Sequence, residues 1–350
     1  MFKDLDKKKL KVCGIIFLLC LALVASAGVI ELVISGFSGR LEFIHAGDRW
    51  SSDSERYATI ALYSEEGAIS TQDVENWVHS MDEKLIEASI TPHENASSWA
   101  WTASGHSELS LMGPKSSENA VVTVTMGDFF VFHPMKYTYG TAYLNDDSNP
   151  MGIVLDRNLA WRLFGAENII GMTLSVGDYD YVVTGIASPE SDSGPYGSTY
   201  GTGLRAYMSY AGFSKVSSVS LTCFEAALPD AVKGFAKNIF DSAVTFDQQT
   251  ASACEVSDRF SIKNRWDRAG ELQYSLTRQN KVEYPYWENE ARIYDYHASV
   301  LTIVQFVLLI AAAICLLLSL IFLGKSGFSP WKIIRRITAK HKIRNLEIQH

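Results

Sequence analysis

The chain has 350 residues, 47% of them hydrophobic and 20% charged, with a formal net charge of −8. That composition excludes a disordered polyelectrolyte and leaves material for a packed core. Five Lys and two Asp precede residue 12, seven basic groups and one Glu follow residue 323, and Glu31 stands by itself in residues 12–35; residues 36–297 therefore hold 19 basic and 35 acidic groups, a net of −16, which excludes nucleic acid as the partner of that region.

Residues 1–11 read as a cytoplasmic segment and residues 12–35 as a first transmembrane helix. The stretch 12–30 has no charge, enough for a helix to cross a hydrocarbon layer of roughly 30 Å. Ala25-Ser26-Ala27 resembles a signal cleavage site, but the apolar run continues through Leu32, Val33 and Ile34, so an uncleaved anchor is expected. Small residues Gly14, Ala22, Ala25, Ser26 and Gly28 would let another membrane helix approach.

Residues 36–297 carry the periodicities of a folded domain. Residues 57–63 predict a strand and 70–88 a helix: Ser70 or Thr71 caps it, Asp73 and Glu75 suit its start, and Val74, Trp77, Val78, Met81 and Leu85 share a face. Strands are expected at 98–102, 108–112 and 120–125. A second unit is expected as strand 217–225, helix 229–240 and strand 243–247. Between the two β-α-β units lies an inserted α/β subdomain, about 126–204. Within it, 156–164 suits a short helix ended by Gly165, and 173–176 with 181–186 suit a hairpin turning at Gly177 and Asp178. The fold class is thus an α+β extracytoplasmic domain between two transmembrane helices.

Residues 298–323 are the second span, uncharged, with Ala311 to Ala313 as small residues and Gln305 as the strongly polar one; Gln305, Ala22 and Ser26 are the candidate intramembrane helix contacts. Tyr284, Tyr286, Trp287, Tyr294 and Tyr296 before this span and Trp331 after it fit the headgroup layers. Basic residues flank both spans on the same side, so both termini are expected in the cytoplasm of a cell-membrane protein, with the large domain outside. The tail, 324–350, includes a basic amphipathic segment. There Ile333, Ile334 and Ile337 face one way and Lys332, Arg335, Arg336 and Lys340 the other, after Trp331; it suits an acidic lipid surface or a cytoplasmic partner.

The search for chemistry yields no catalytic, cofactor or metal site. "GKS" at 324–326 lacks the earlier Gly of a phosphate loop, His93-Glu94 lacks a second His, and no Gly-x-Ser-x-Gly elbow occurs. Asp146-Asp147 reads as a solvated loop, and Asn95-Ala96-Ser97 as a sequon that also arises by chance. Cys13, Cys20 and Cys315 lie in the spans, which leaves Cys223 and Cys254 either as a disulfide closing a loop of about 30 residues or as two buried thiols.

The succession "MGDFFVFHPMKYTYGTAYLNDD" (126–147), "GIVLDRNLAWRLFGAENIIGMTL" (152–174), "YDYVVTGIAS" (179–188) and "RAYMSY" (205–210) resembles the periplasmic core domain of MacB-like ABC transporter permeases. The resemblance implies an α/β outer domain of two subdomains on a stalk of helices, and work without catalysis: ATP hydrolysis by a cytoplasmic partner moves the outer domain through the spans. Family members have further spans, whereas this sequence stops at residue 350. The expectation is a reduced, two-span, non-enzymatic subunit that takes part in ATP-driven export or mechanotransmission. Its partners would be the membrane, an ABC ATPase subunit and a fuller permease or a second copy. The alternative is a membrane-anchored binding, sensing or assembly protein that has lost transport.

Overall fold

A computed structural model describes residues 7–51, 55–90, 97–143, 150–188, 204–272 and 281–326. The chain forms two units, residues 1–36 with 299–350, and residues 37–298. The first helix, α1 (Lys7–Ser38), contains the first apolar stretch. A short 3-10 turn (Glu42–His45) and α2 (Ala46–Trp50) follow it.

Strand β1 (Tyr57–Ser64) leads into α3 (Thr71–Glu87). That helix starts where the sequence places it, because Ser70 and Asp73 form a reciprocal cap: the Ser70 hydroxyl accepts from Asp73 N at 3.1 Å, and the Asp73 carboxylate accepts from Ser70 N at 2.9 Å. Its buried residues Val74, Trp77, Met81 and Leu85 are the predicted face. Strands β2 (Ala100–Met112) and β3 (Ser117–Gly127) form a long antiparallel hairpin. The two strands expected at 98–102 and 108–112 are thus one. Gly105, inside that strand, serves close approach: a Cβ there would sit 2.3 Å from Ser220 O.

The helical turn α4 (Phe129–Phe132) follows Gly127, whose φ of +64° and tight contact with Trp101 O exclude a side chain. Then come β4 (Tyr137–Gly140), β5 (Gly152–Asp156) and α5 (Arg157–Phe164). Asp156 caps α5, accepting from Leu159 N at 2.7 Å and from Arg205 N at 2.9 Å, and Gly165 ends the helix in the left-handed conformation. β6 (Thr173–Val176) and β7 (Tyr179–Ala187) make the expected hairpin, with Gly177 at φ +58° in its turn. β8 (Arg205–Ser209) and the turn α6 (Tyr210–Phe213) complete this part.

The second unit is displaced along the sequence from its expected place. It consists of β9 (Cys223–Pro229), α7 (Phe235–Ala243) and β10 (Ala251–Glu255). Every residue of β9 is buried, so no alternation marks its start, and Pro229, expected to open a helix, closes the strand instead. Helix α8 (Ile262–Gly270), capped by Ser261, precedes α9 (Tyr286–Lys325).

Among the described residues all the strands join one sheet in the order β10-β1-β9-β2-β3-β8-β5-β7-β4, with β6 beside β7 and the end of β2. β1 and β2 are parallel to each other with β9 antiparallel between them, so the two β-α-β units interleave as split units. Alternation along β1 sorts the core. Ala58, Ile60 and Leu62 face α3 and α7, whereas Ala61 and Tyr63 face Phe43, Phe129 and the first turns of α9. Around the inserted segments, Leu159, Leu163, Leu174, Val176 and Ile186 form a third buried cluster with β3 and β8.

In the other unit α1 and α9 run antiparallel. The buried residues of α1 recur every seventh position at Cys13, Cys20 and Ala27, and they are matched on α9 by Gln305, Ala312 and Ser319, a coiled-coil seam built from small and polar groups. Their remaining surfaces are apolar and exposed, and both helices are long and apolar enough to cross a membrane.

Candidate functional site

Among the described residues of 37–298, a concentration of charge is buried where α9 begins. The turn after β10 carries Arg259, only 3% exposed. Its Nη1 and Nη2 donate to Glu288 Oε2 and Oε1 at 2.7 and 2.5 Å, and its Nε donates to Asp295 Oδ1 and Oδ2 at 3.0 and 2.9 Å. Glu288 and Asp295 lie seven residues apart on α9, two turns on one face, so one planar guanidinium spans both. Arg268 of α8 adds a bond to Asp295 Oδ1 at 2.6 Å and one to Arg259 O at 2.8 Å, and the Tyr63 hydroxyl donates to Glu288 Oε2 at 3.0 Å.

Burial alone would lower the Arg259 pKa, but the carboxylates of Asp295 and Glu288 hold it well above its ordinary value. Burial, with the charge of Glu288, raises the Tyr63 hydroxyl well above its own. The group is therefore a permanently charged clamp between the sheet, α8 and α9, bordering a cavity of about 260 Å³ that Cys254 also lines. Glu288 and Asp295 are each bonded to a guanidinium. What the arrangement does is hold.

A second buried pair lies between β9 and the turn after α4. His133 Nε2 is 2.6 Å from Glu225 Oε2, and both side chains are shut away from solvent. The imidazole packs on Trp287 of α9 at 4.2 Å between ring centroids and on Phe129 at 4.7 Å. Among the described residues Glu225 Oε1 and Trp287 Nε1 have no hydrogen-bond partner.

The residues singled out from sequence fall differently. Cys223 and Cys254 are not bridged. Both are free, on β9 and β10, with β1 between them in register at Tyr63 and Ala61. Two interstrand spacings of about 4.8 Å exceed the roughly 7 Å between Cα atoms that a disulfide tolerates. Gln305 does reach the other helix, donating from Nε2 to Ala27 O and to Glu31 Oε2, each at 3.1 Å. Ala22 and Ser26 stay outside that seam. Both are exposed, and the Ser26 hydroxyl donates to Ala22 O of its own helix at 2.9 Å. Trp331, Ile333, Ile334, Arg335, Arg336 and Ile337 lie outside the described residues, as do His93-Glu94 and Asp146-Asp147. Tyr286, Trp287 and Tyr294, expected in the headgroup layer, are instead buried in the core beneath the sheet.

Sequence reasoning missed the clamp and the His133–Glu225 pair. One signal was present: Glu288 and Asp295 are spaced by seven on a segment otherwise rich in aromatic residues, directly before an uncharged span. Acids at that spacing on an apolar face need a cation, and nothing local fixes which Arg supplies it.

Two of the solved structures that align with the chain are transporter domains. The periplasmic region of MacB from Actinobacillus actinomycetemcomitans is 18% identical, over 59% of this chain and 92% of that one, with a TM-score of 0.40. The extracellular domain of the noncanonic ABC-type transporter YknZ from Gram-positive bacteria is 10% identical, over 56% and 99%, with a TM-score of 0.38. No curated protein sequence matches. The profile of the MacB-like periplasmic core domain matches residues 16–239, well over half of the chain. On that match the chain belongs to the MacB-like periplasmic core domain family, whose permeases work in the membrane within ABC transporter complexes.

Proposed function

We propose that the chain is a non-enzymatic membrane subunit that contributes an extracytoplasmic domain to ATP-driven export or mechanotransmission. An ABC ATPase supplies energy, and a fuller permease or a second copy completes the membrane pathway. In this reading residues 12–35 and 298–323 span the cell membrane, 36–297 lie outside with an inserted subdomain at about 126–204, and 1–11 and 324–350 are cytoplasmic. The observation that carries it, beside the family match, is the clamp on a continuous helix: α9 runs unbroken from Tyr286 to Lys325, and its first turns are keyed to the sheet by Arg259. A helix held so firmly passes displacement to the sheet rather than sliding past it.

The tail is the point of contact with the ATPase in this scheme, through Trp331, Ile333, Ile334, Arg335, Arg336 and Ile337. Replacing the three Ile with Ser tests it. Loss of ATPase co-purification from a protein that still inserts is expected, and unchanged co-purification would reduce the tail to a lipid anchor.

A further inference from the structure

The two ends of the sheet are built differently. At β4 the register shifts between Tyr137 and Tyr139, and Pro134 and Lys136 stand just before the strand, devices that keep another chain from pairing with an edge. The β10 edge has no such device. Its sequence is Ala251-Ser252-Ala253-Cys254-Glu255, four small side chains and one acid.

Register decides which backbone groups of β10 face outward. β1 and β10 pair with Ile60 opposite Glu255 and Ser64 opposite Ala251; just past either end Val256 N donates to Thr59 O and Glu65 N donates to Thr250 O, both at 2.8 Å. Hydrogen-bonded pairs alternate along an antiparallel ladder, so Ser252 and Cys254 turn their N–H and C=O groups to β1, whereas Ala251, Ala253 and Glu255 turn theirs to the open side. Ala251 N donates to Asp247 O at 2.9 Å. Among the described residues the N–H and C=O groups of Ala253 and Glu255 have no partner. A groove of about 720 Å³ runs beside Ala251 and Ala253, walled by Val244 and Phe246, and Lys237 and Asp241 at its rim bond each other at 2.9 Å. What fits such a place is a further strand, about 4.8 Å from β10.

Charge selects the occupant. Glu255 Oε1 is buried without a hydrogen-bond partner, and burial, with the charges of Asp258 and Asp230, pushes this carboxyl above its ordinary value. A cation on the strand laid opposite would answer it. The net of −16 on residues 36–297 attracts a basic chain and repels a second copy. A second copy paired about Ala253 would also set Ala251, not a cation, opposite Glu255.

We propose that β10 is a docking edge for an extended, basic segment of a partner polypeptide, which adds a strand to the sheet and sets a Lys or Arg across from Glu255. Main-chain bonds hold the segment, and Glu255 selects its charge.

The test uses the full chain in neutral detergent and a fluorescent probe, the peptide acetyl-Val-Lys-Val-Lys-Val-Lys-amide, followed by anisotropy. Saturable binding is expected. Ala253→Pro should weaken it about tenfold or more while leaving Tm nearly unchanged, because that N–H is not used in the ladder with β1. Full N-methylation of the probe should weaken binding to the unaltered chain by a similar factor, and this arm decides the matter if the Pro variant does not fold. Glu255→Gln should weaken binding about threefold. Absence of saturable binding would overturn the proposal. Binding that survives both Ala253→Pro and N-methylation would overturn it too, since the probe would then be held by surface charge alone. So would sedimentation showing a dimer of the unaltered chain that Ala253→Pro dissociates, which would give the edge to a second copy.

Discussion

Arg259→Met removes the centre of the clamp, and its cost can be apportioned from the geometry. Asp295 keeps the bond from Arg268 at 2.6 Å, but Glu288 is left with the Tyr63 hydroxyl alone, in a site where its side chain is 3% exposed. Stranding a buried charge in this way costs about 3–5 kcal/mol. For a domain of this size that lowers Tm by about 6–20 °C, at roughly 2–4 °C per kcal/mol. Most of the loss sits on Glu288, so adding Glu288→Gln to the Met variant should recover about 1–3 kcal/mol, while Asp295→Asn should recover much less. Thermal unfolding of the full chain in detergent, followed by tryptophan fluorescence, measures all three. A shift below about 2 °C for Arg259→Met, or equal rescue by the two second changes, would refute this account of the clamp.

Burial, with the charge of Glu288, pushes the Cys254 thiol up to about 12. Its thiolate fraction at pH 8 is then on the order of one in ten thousand, so iodoacetamide should alkylate it about a thousandfold more slowly than a free cysteine, with a rate rising tenfold per pH unit between pH 7.5 and 9.5; fast alkylation at pH 8 would contradict the site as described. Cys13 Sγ lies 3.2 Å from Ser319 Oγ, and Ser319→Cys should therefore give an intramolecular disulfide on mild oxidation, seen as faster migration without reductant, whereas dimers only would contradict the helix pairing. Protease or cysteine-labelling accessibility in sealed cells should find residues 36–297 exposed and both tails protected; an exposed C-terminal tail would overturn the assignment of sides.

What could be read from the sequence was what local chemistry decides. The Ser70–Asp73 cap, the apolar face of α3, the left-handed Gly165 and the turn at Gly177 each depend on neighbours within four residues, and the structure has them in place. The family was legible for a similar reason, in the succession from Leu163-Phe164-Gly165 through Gly171 to Gly185. Features set by distant segments were not. The single long β2 depends on Ser220 passing close over Gly105, and β9 has no alternation because both of its faces are covered. The clamp joins Arg259 to Asp295 across 36 residues, and Tyr286, Trp287 and Tyr294 could not be separated from headgroup aromatics without knowing that the sheet covers them. Cys223 and Cys254 read equally as a disulfide or as two free thiols, because strand order decides whether thiols meet.

The central claim is that this domain works through a partner's ATP hydrolysis. The most direct measurement is purification of the tagged full chain from its own membranes in mild detergent, with the copurifying proteins identified and ATP turnover assayed with and without Arg259→Met. The account predicts an ABC ATPase in the complex, and an Arg259→Met complex that still contains the ATPase but in which hydrolysis is uncoupled from any change in protease accessibility of residues 36–297. A chain that leaves the membrane with no ATPase, or whose outer domain shows the same protease accessibility with and without ATP, would contradict it.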